Sequence, residues 1–210
     1  MRRQLLIATV TSALLLTGCA TGSGSPSVTT PSVPASESLP AESLPGESVP
    51  AEAIPLLSDY GLGGKSAVEV IDHLDRLGGD QRPADLTASV RPQELVVSRG
   101  DEKFSIGLPQ DRFYLSVAPY MDRTHDCFYH SLTTCKGELT AQDVQVRIVD
   151  QNDRVLVDEV RTTFDNGFVG FWLPRGVAGT LRLSYDGKVG QTAISTGDDA
   201  PTCLTTLRLT

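Results

Sequence analysis

The chain is short of positive charge: 18 Lys and Arg stand against 26 Asp and Glu in 210 residues, a net charge of −8. A nucleic-acid binder needs clustered cations to displace counterions from phosphate, so that class is excluded. Aromatics make up 6%, with two Met, one Trp and three His. No apolar run is long enough for a polytopic membrane protein; the longest, Leu5 to Leu16, falls short of an ordinary spanning helix. There is no Gly-x-Ser-x-Gly elbow, which removes the α/β-hydrolase class. There is no Cys-x-x-Cys either, the spacing that lowers a thiol pKa in thioredoxin-like oxidoreductases. Gly61-Leu62-Gly63-Gly64-Lys65-Ser66 imitates a phosphate-binding loop, but Asp59 stands where the signature needs its first glycine. Cysteine is scarce too. There are four, and they do not serve one purpose.

What is present begins with a leader. Arg2 and Arg3 precede the apolar run, which closes on Leu16-Thr17-Gly18-Cys19. This resembles the lipobox of bacterial lipoproteins and predicts a signal peptide over 1–18, with Cys19 as the lipidated (palmitate-type) first residue. The protein is therefore expected outside the cytoplasm, anchored to the cell membrane. Residues 20–55 are Ser, Pro, Thr, Gly and Ala with few large side chains, too little apolar surface to offset chain entropy. A five-residue repeat runs through them: Glu37-Ser38-Leu39-Pro40-Ala41, Glu42-Ser43-Leu44-Pro45-Gly46, Glu47-Ser48-Val49-Pro50-Ala51, Glu52-Ala53-Ile54-Pro55. Regular proline disfavours helix and recurring Glu keeps the segment soluble, so 19–55 reads as a disordered tether.

The folded part is expected from about Leu56. Ser66-Ala67-Val68-Glu69 has capping-box spacing, Val70, Ile71, Leu74 and Leu77 share one face, and Gly78-Gly79 would stop the helix. His73 lies among Asp72, Asp75 and Arg76 and reads as a solvated surface residue. From Glu94 onward apolar residues alternate with period 2: Phe104, Ile106, Leu108; Phe113, Leu115, Val117; Val144, Val146, Ile148. Further strands are predicted at 154–161, 168–173, 180–185, 188–195 and 203–209, with Asn166-Gly167 and Asp186-Gly187 as hairpin turns. Arg99-Gly100-Asp101 falls between two such runs and reads as a turn. The expected fold is α+β: a helical segment over 56–98, then a mainly antiparallel, β-sandwich-like domain over 99–210, with Trp172 in its core.

Three cysteines remain once Cys19 carries lipid: Cys127, Cys135 and Cys203. An odd number in an oxidising compartment allows one local disulfide, Cys127 with Cys135, and one inert thiol. That structural-module reading stays open, as does a thiol-disulfide oxidoreductase or metal reductase cycling Cys127 and Cys135. Two features favour a metal instead. The loop after the 112–118 strand is dense in soft and borderline ligands, Met121, His125, Cys127, His130 and Cys135, and loops of that length in compact domains are usually functional. Cys203 shares a face with Thr205, Leu207 and Leu209, so its thiol is expected to point inward, where the loop can fold over it. Three thiolates without a fourth obligatory ligand suit Cu(I) better than structural zinc, which prefers four. His125 and His130 are candidate additional ligands, and Met121 is either a relay thioether or a gap-filler.

The segments Ala118-Pro119-Tyr120, Thr124-His125-Asp126-Cys127-Phe128-Tyr129-His130-Ser131-Leu132-Thr133-Thr134-Cys135-Lys136-Gly137-Glu138-Leu139 and Asp199-Ala200-Pro201-Thr202-Cys203-Leu204-Thr205-Thr206-Leu207 resemble the CueP family of extracytoplasmic copper-binding proteins. The likeness extends over roughly residues 56–210. It implies copper binding through Cys127, Cys135 and Cys203 and a part in copper tolerance. It also implies Cu(II) reduction, or delivery of copper to a superoxide dismutase or a copper-export system. The lipobox and acidic tether depart from the soluble periplasmic members and limit such delivery to partners within the tether's reach.

Overall fold

In the structure, a computed structural model that describes residues 49–210, regular elements begin at Ala53. The predicted signal peptide, Cys19 and the repeat as far as residue 48 lie outside the described residues. The last repeat unit is not extended as the tether reading expects. Helix α1 (Ala53–Ser58) covers it and buries Ala53, Leu56 and Leu57. Pro55 is tolerated because it stands in the first turn, where its missing N–H would have had no intrahelical partner. Folding therefore begins ahead of Leu56, and Val49 already packs on the helical core.

Helix α2 (Ala67–Leu74) starts where its sequence predicts. Ser66 Oγ accepts the Glu69 N–H at 3.3 Å, and the Glu69 carboxylate accepts the Ser66 N–H at 2.8 Å. Val70, Ile71 and Leu74 are buried, and the helix ends at Leu74 rather than at Gly78-Gly79. His73 is exposed as expected, but Asp75, read with it as solvated surface, has 0% of its area exposed.

The strands form three sheets among the described residues, and the architecture is mostly antiparallel β with few helices. Strands β1 (Thr87–Val90), β2 (Glu94–Arg99), β3 (Glu102–Gly107), β4 (Arg112–Val117), the short β5 (His130–Ser131) and β6 (Asp143–Asp150) are followed by β7 (Val155–Thr162), β8 (Val169–Pro174), β9 (Ala178–Tyr185), β10 (Lys188–Ser195) and β11 (Cys203–Leu204). Their orders are β3-β2-β1-β5, β10-β9-β6-β7 and β11-β4-β8. Every pairing of these strands is antiparallel except that of β11 on β4. β1 and most of β2 fall inside the 56–98 stretch expected to be helical. The Thr87–Val90 alternation is too short for its period to stand out from a loop.

Two cores result. Helices α1 and α2 cover the inner face of β1, β2 and β3, with Leu57, Ile71, Val90, Leu95 and Ile106 buried. Phe113, Leu115 and Val117 of β4 and Phe171 and Leu173 of β8 meet Val146 and Ile148 of β6 and Leu181 and Leu183 of β9 in the second. β4 is buried on both faces, for Tyr114 points into the first core. Trp172 is only half-buried, its Nε1–H donating to Asp72 at 2.9 Å.

The two Asx-Gly turns diverge. Asp186-Gly187 closes the β9–β10 hairpin with φ of 50° and 74°, the positive values a two-residue turn of this type needs. Asn166-Gly167 closes no hairpin, since β7 and β8 belong to different sheets; it carries the chain from one sheet to the other. Gly167 is required there, because a Cβ would come 2.6 Å from the Gly137 carbonyl. The final strand is also shorter than predicted. Its ladder ends at Leu204, although Cys203, Thr205, Leu207 and Leu209 all remain buried on alternate positions.

Candidate metal centre

The site lies where the loop after β4 folds back over β11. Parallel pairing sets Cys203 opposite Ser116 of β4. The Thr202 and Cys203 N–H groups both donate to the Phe128 carbonyl, at 3.0 and 3.1 Å. The His130 N–H donates to Thr202 Oγ1 at 3.0 Å, and that hydroxyl donates to the Val90 carbonyl at 2.6 Å. These bonds stitch β5, β11 and the end of β1 together. A tight turn then returns Cys135 toward Ser131, whose carbonyl accepts the Cys135 N–H at 3.1 Å and whose N–H donates to the Cys135 sulfur at 3.4 Å. Arg82 Nη1 donates to the Cys135 carbonyl at 2.6 Å, and the Gly137 N–H to the Asn166 carbonyl at 2.7 Å, holding the turn from below.

Residues separated by most of the domain are thereby brought together. Cys127 Sγ and Cys135 Sγ are 3.5 Å apart, and Cys203 Sγ is 3.5 Å from His130 Nδ1. All three cysteines are free thiols; Cys135 and Cys203 are buried and Cys127 is partly exposed. Two sets of donors, each with its atoms within 4.8 Å of one another, share Cys135: His125, Cys127 and Cys135, and His130, Cys135 and Cys203. Metal–thiolate bonds of about 2.3 Å put trigonal ligands about 4 Å apart, so these spacings accept a soft ion after small adjustments. Met121 packs on the second core, and its N–H donates to Glu138, so its observed work is filling and anchoring.

His130 is held by a residue the sequence reading missed. Its Nε2 lies 2.7 Å from Asp75 Oδ1, and both side chains are fully buried. Asp75 also accepts from Tyr114 Oη at 2.6 Å, Ser116 Oγ at 3.0 Å and Asn166 Nδ2 at 2.8 Å. Burial opposes its charge, but the His130 imidazole and these hydrogen bonds hold its pKa below the usual carboxylate value. Burial likewise opposes a charge on His130, and Asp75 outweighs it, raising the imidazole to about 9. An ionised Asp75 accepts a hydrogen bond from the Nε2–H, and the other ring nitrogen, Nδ1, faces Cys203. Helical spacing carried the missing signal, because Asp75 falls four residues after Ile71 on the buried stripe. Phe168 was the other omission. Fully buried, its ring lies 4.5 Å from that of His130 and 6.3 Å from that of His125.

The thiols are not equivalent. Hydrogen bonds from Cys127 and Cys203, then His130, hold Cys135 well below the ordinary thiol range. Cys127 is pushed up to about 11 by its hydrogen bond to Cys135, and Cys203 is pushed higher by both neighbours and by burial. Metal binding requires the thiolate form, so capture of a cation releases the protons that the cluster still holds.

The fold and the cluster define a small β-rich protein with a thiol–imidazole group whose donors and spacing can hold a soft metal ion. A family model described as periplasmic copper-binding protein CueP matches residues 69–208. Among solved structures, the crystal structure of S.CueP is similar, with 40% sequence identity and a TM-score of 0.73 over 78% of this chain and all of that one. No curated protein matches. The chain belongs to the CueP family of periplasmic copper-binding proteins. No helix among the described residues is long and apolar enough to cross a membrane.

Proposed function

We propose that this protein captures Cu(I) outside the cytoplasm through Cys127, Cys135 and Cys203, while a lipid on Cys19 tethers it to the membrane, and that it contributes to copper tolerance. The observation that carries the reading is that the free thiols of Cys127 and Cys203 each share a donor set with that of Cys135. Thiolates select soft ions, and a site of sulfur with imidazole suits Cu(I). His130 and His125 supply nitrogen donors to the same cluster. The tether, running from Cys19 to the start of α1, sets how far the domain reaches toward a copper acceptor, a superoxide dismutase or an exporter.

The test is anaerobic titration of the reduced protein with Cu(I) against a competing chelator. The expected result is about one Cu(I) per chain, the stoichiometry of one soft ion shared by three thiolates. Cys135→Ser is expected to abolish binding and Cys203→Ser to remove most of the affinity; unchanged tight binding in both would end the reading.

The 3.5 Å between the Cys127 and Cys135 sulfurs favours a second reading, stoichiometric reduction of Cu(II). Two thiolates form one disulfide and give one electron to each of two Cu(II) ions, yielding two Cu(I). Loss of two thiols per two Cu(II) reduced, counted by mass spectrometry, supports it. Turnover with an external thiol and no metal would instead identify a general thiol-disulfide oxidoreductase.

A further inference from the structure

We infer that copper has two overlapping positions in this protein, an outer one on His125, Cys127 and Cys135 and an inner one on His130, Cys135 and Cys203, and passes between them by ligand exchange on Cys135. The inference deepens the copper-capture reading and rests on it. The two donor sets differ in burial: His125 and Cys127 are partly exposed, whereas every member of the inner set is buried, His130 completely. They also differ in access. A cavity of about 610 Å³ is lined by Arg123, Thr124, His125, Cys135, Lys136 and Glu138; Cys127, His130 and Cys203 do not line it, and of these three only Cys127 is partly exposed. An ion arriving from solvent meets the outer set first.

The histidines differ in the same sense. His130 is oriented from behind by Asp75, the arrangement in which a carboxylate fixes a ligating imidazole. His125 shares a donor set with two thiols, and its Nε2 is buried with no hydrogen-bond partner, so the ring keeps an unsatisfied polar atom. Phe168 lies against both imidazoles and packs in one apolar cluster with Cys127, Cys135 and Cys203. Because Cys135 belongs to both sets, a three-coordinate ion can exchange His125 and Cys127 for His130 and Cys203 without leaving protein sulfur. The transfer breaks the metal's bonds to His125 and Cys127 and forms its bonds to His130 and Cys203; the protons that these two donors give up pass to the departing donors or to solvent, and no electron moves.

Two positions predict an asymmetry that a single three-thiol site does not. The full chain would be loaded anaerobically with Cu(I), and the metal then withdrawn with bathocuproine disulfonate, following both rates by absorbance. Cys203→Ser is expected to keep a weaker, outer-bound ion that is withdrawn about tenfold faster than from the unsubstituted protein. Cys127→Ser and His125→Ala are expected to lose less equilibrium affinity than Cys203→Ser but to load about tenfold more slowly. Circular dichroism of each metal-free variant excludes misfolding as the cause. Equal losses of affinity in Cys127→Ser and Cys203→Ser, or normal loading in both Cys127→Ser and His125→Ala, would overturn the two-position arrangement while leaving copper capture standing. Failure of the unsubstituted protein to bind Cu(I) would instead overturn the capture reading itself.

Discussion

The two cores of this protein lie on opposite faces of β4, and they differ in what occupies their centres. On one face Phe113, Leu115 and Val117 enter a core of Val, Ile, Leu and Phe side chains between two sheets. On the other, Tyr114 and Ser116 present hydroxyls to Asp75, a buried carboxylate that also bonds Asn166 and His130. Apolar packing is non-directional and tolerates a ring in several rotations, whereas hydrogen bonds select one. The apolar core is a platform. The polar one aims an imidazole at the thiols.

That contrast can be broken most sharply at Asp75. Asp75→Ala leaves His130 Nε2 and the Tyr114 and Ser116 hydroxyls unpaired in the interior and removes one of the two acceptors of Asn166, and a loss of about 3–5 kcal/mol is expected in urea unfolding of the reduced, metal-free protein. In whatever remains folded, Cu(I) affinity should fall about 10- to 100-fold; unaltered affinity would mean the polar core has no bearing on the site. Phe113→Ala tests the opposite face. A loss of about 3–5 kcal/mol is expected from a cavity in the apolar core, with Cu(I) affinity of the folded protein unchanged. If copper binding fell with it, the platform and the site would be one cooperative unit.

Smaller substitutions sharpen the comparison. Tyr114→Phe removes one of the donors to Asp75 without changing ring packing, and a loss of about 1.5–3 kcal/mol is expected, since that bond runs to a charged group. A loss no larger than that of a surface substitution would show that Asp75 is satisfied without it. Ser66→Ala removes the cap of α2, the helix that delivers Asp75, and should cost about 1 kcal/mol by thermal unfolding with copper binding intact.

Much of this was legible along the chain. The alternation of Phe113, Leu115 and Val117 and of Val144, Val146 and Ile148 named the second core, and Ser66 with Glu69 named the start of α2. Buried alternation from Cys203 to Leu209 was legible as well, although the ladder that should accompany it stops at Leu204. What escaped was β4's other face. Tyr114 and Ser116 read as the polar half of an amphipathic strand, and in isolation a polar residue facing water looks like one facing a buried carboxylate. Asp75 escaped for the same reason, placed with Asp72 and His73 on a solvated surface. The last repeat unit was misjudged because proline discourages helix everywhere except in the first turn, where Pro55 stands.

By itself the sequence determined most of the later strands, the start of α2 and which side chains are soft ligands, because periodicity, capping and thiol chemistry are properties of short segments. Only the tertiary structure decided that Cys135 is shared by two ligand sets, that Asp75 stands behind His130 and that the cavity reaches His125 and Cys135 but not His130 or Cys203. The first two of those relations join residues separated by more than fifty positions, as with Asp75 and His130. They exist only once β11 has paired with β4 and the loop has closed over both.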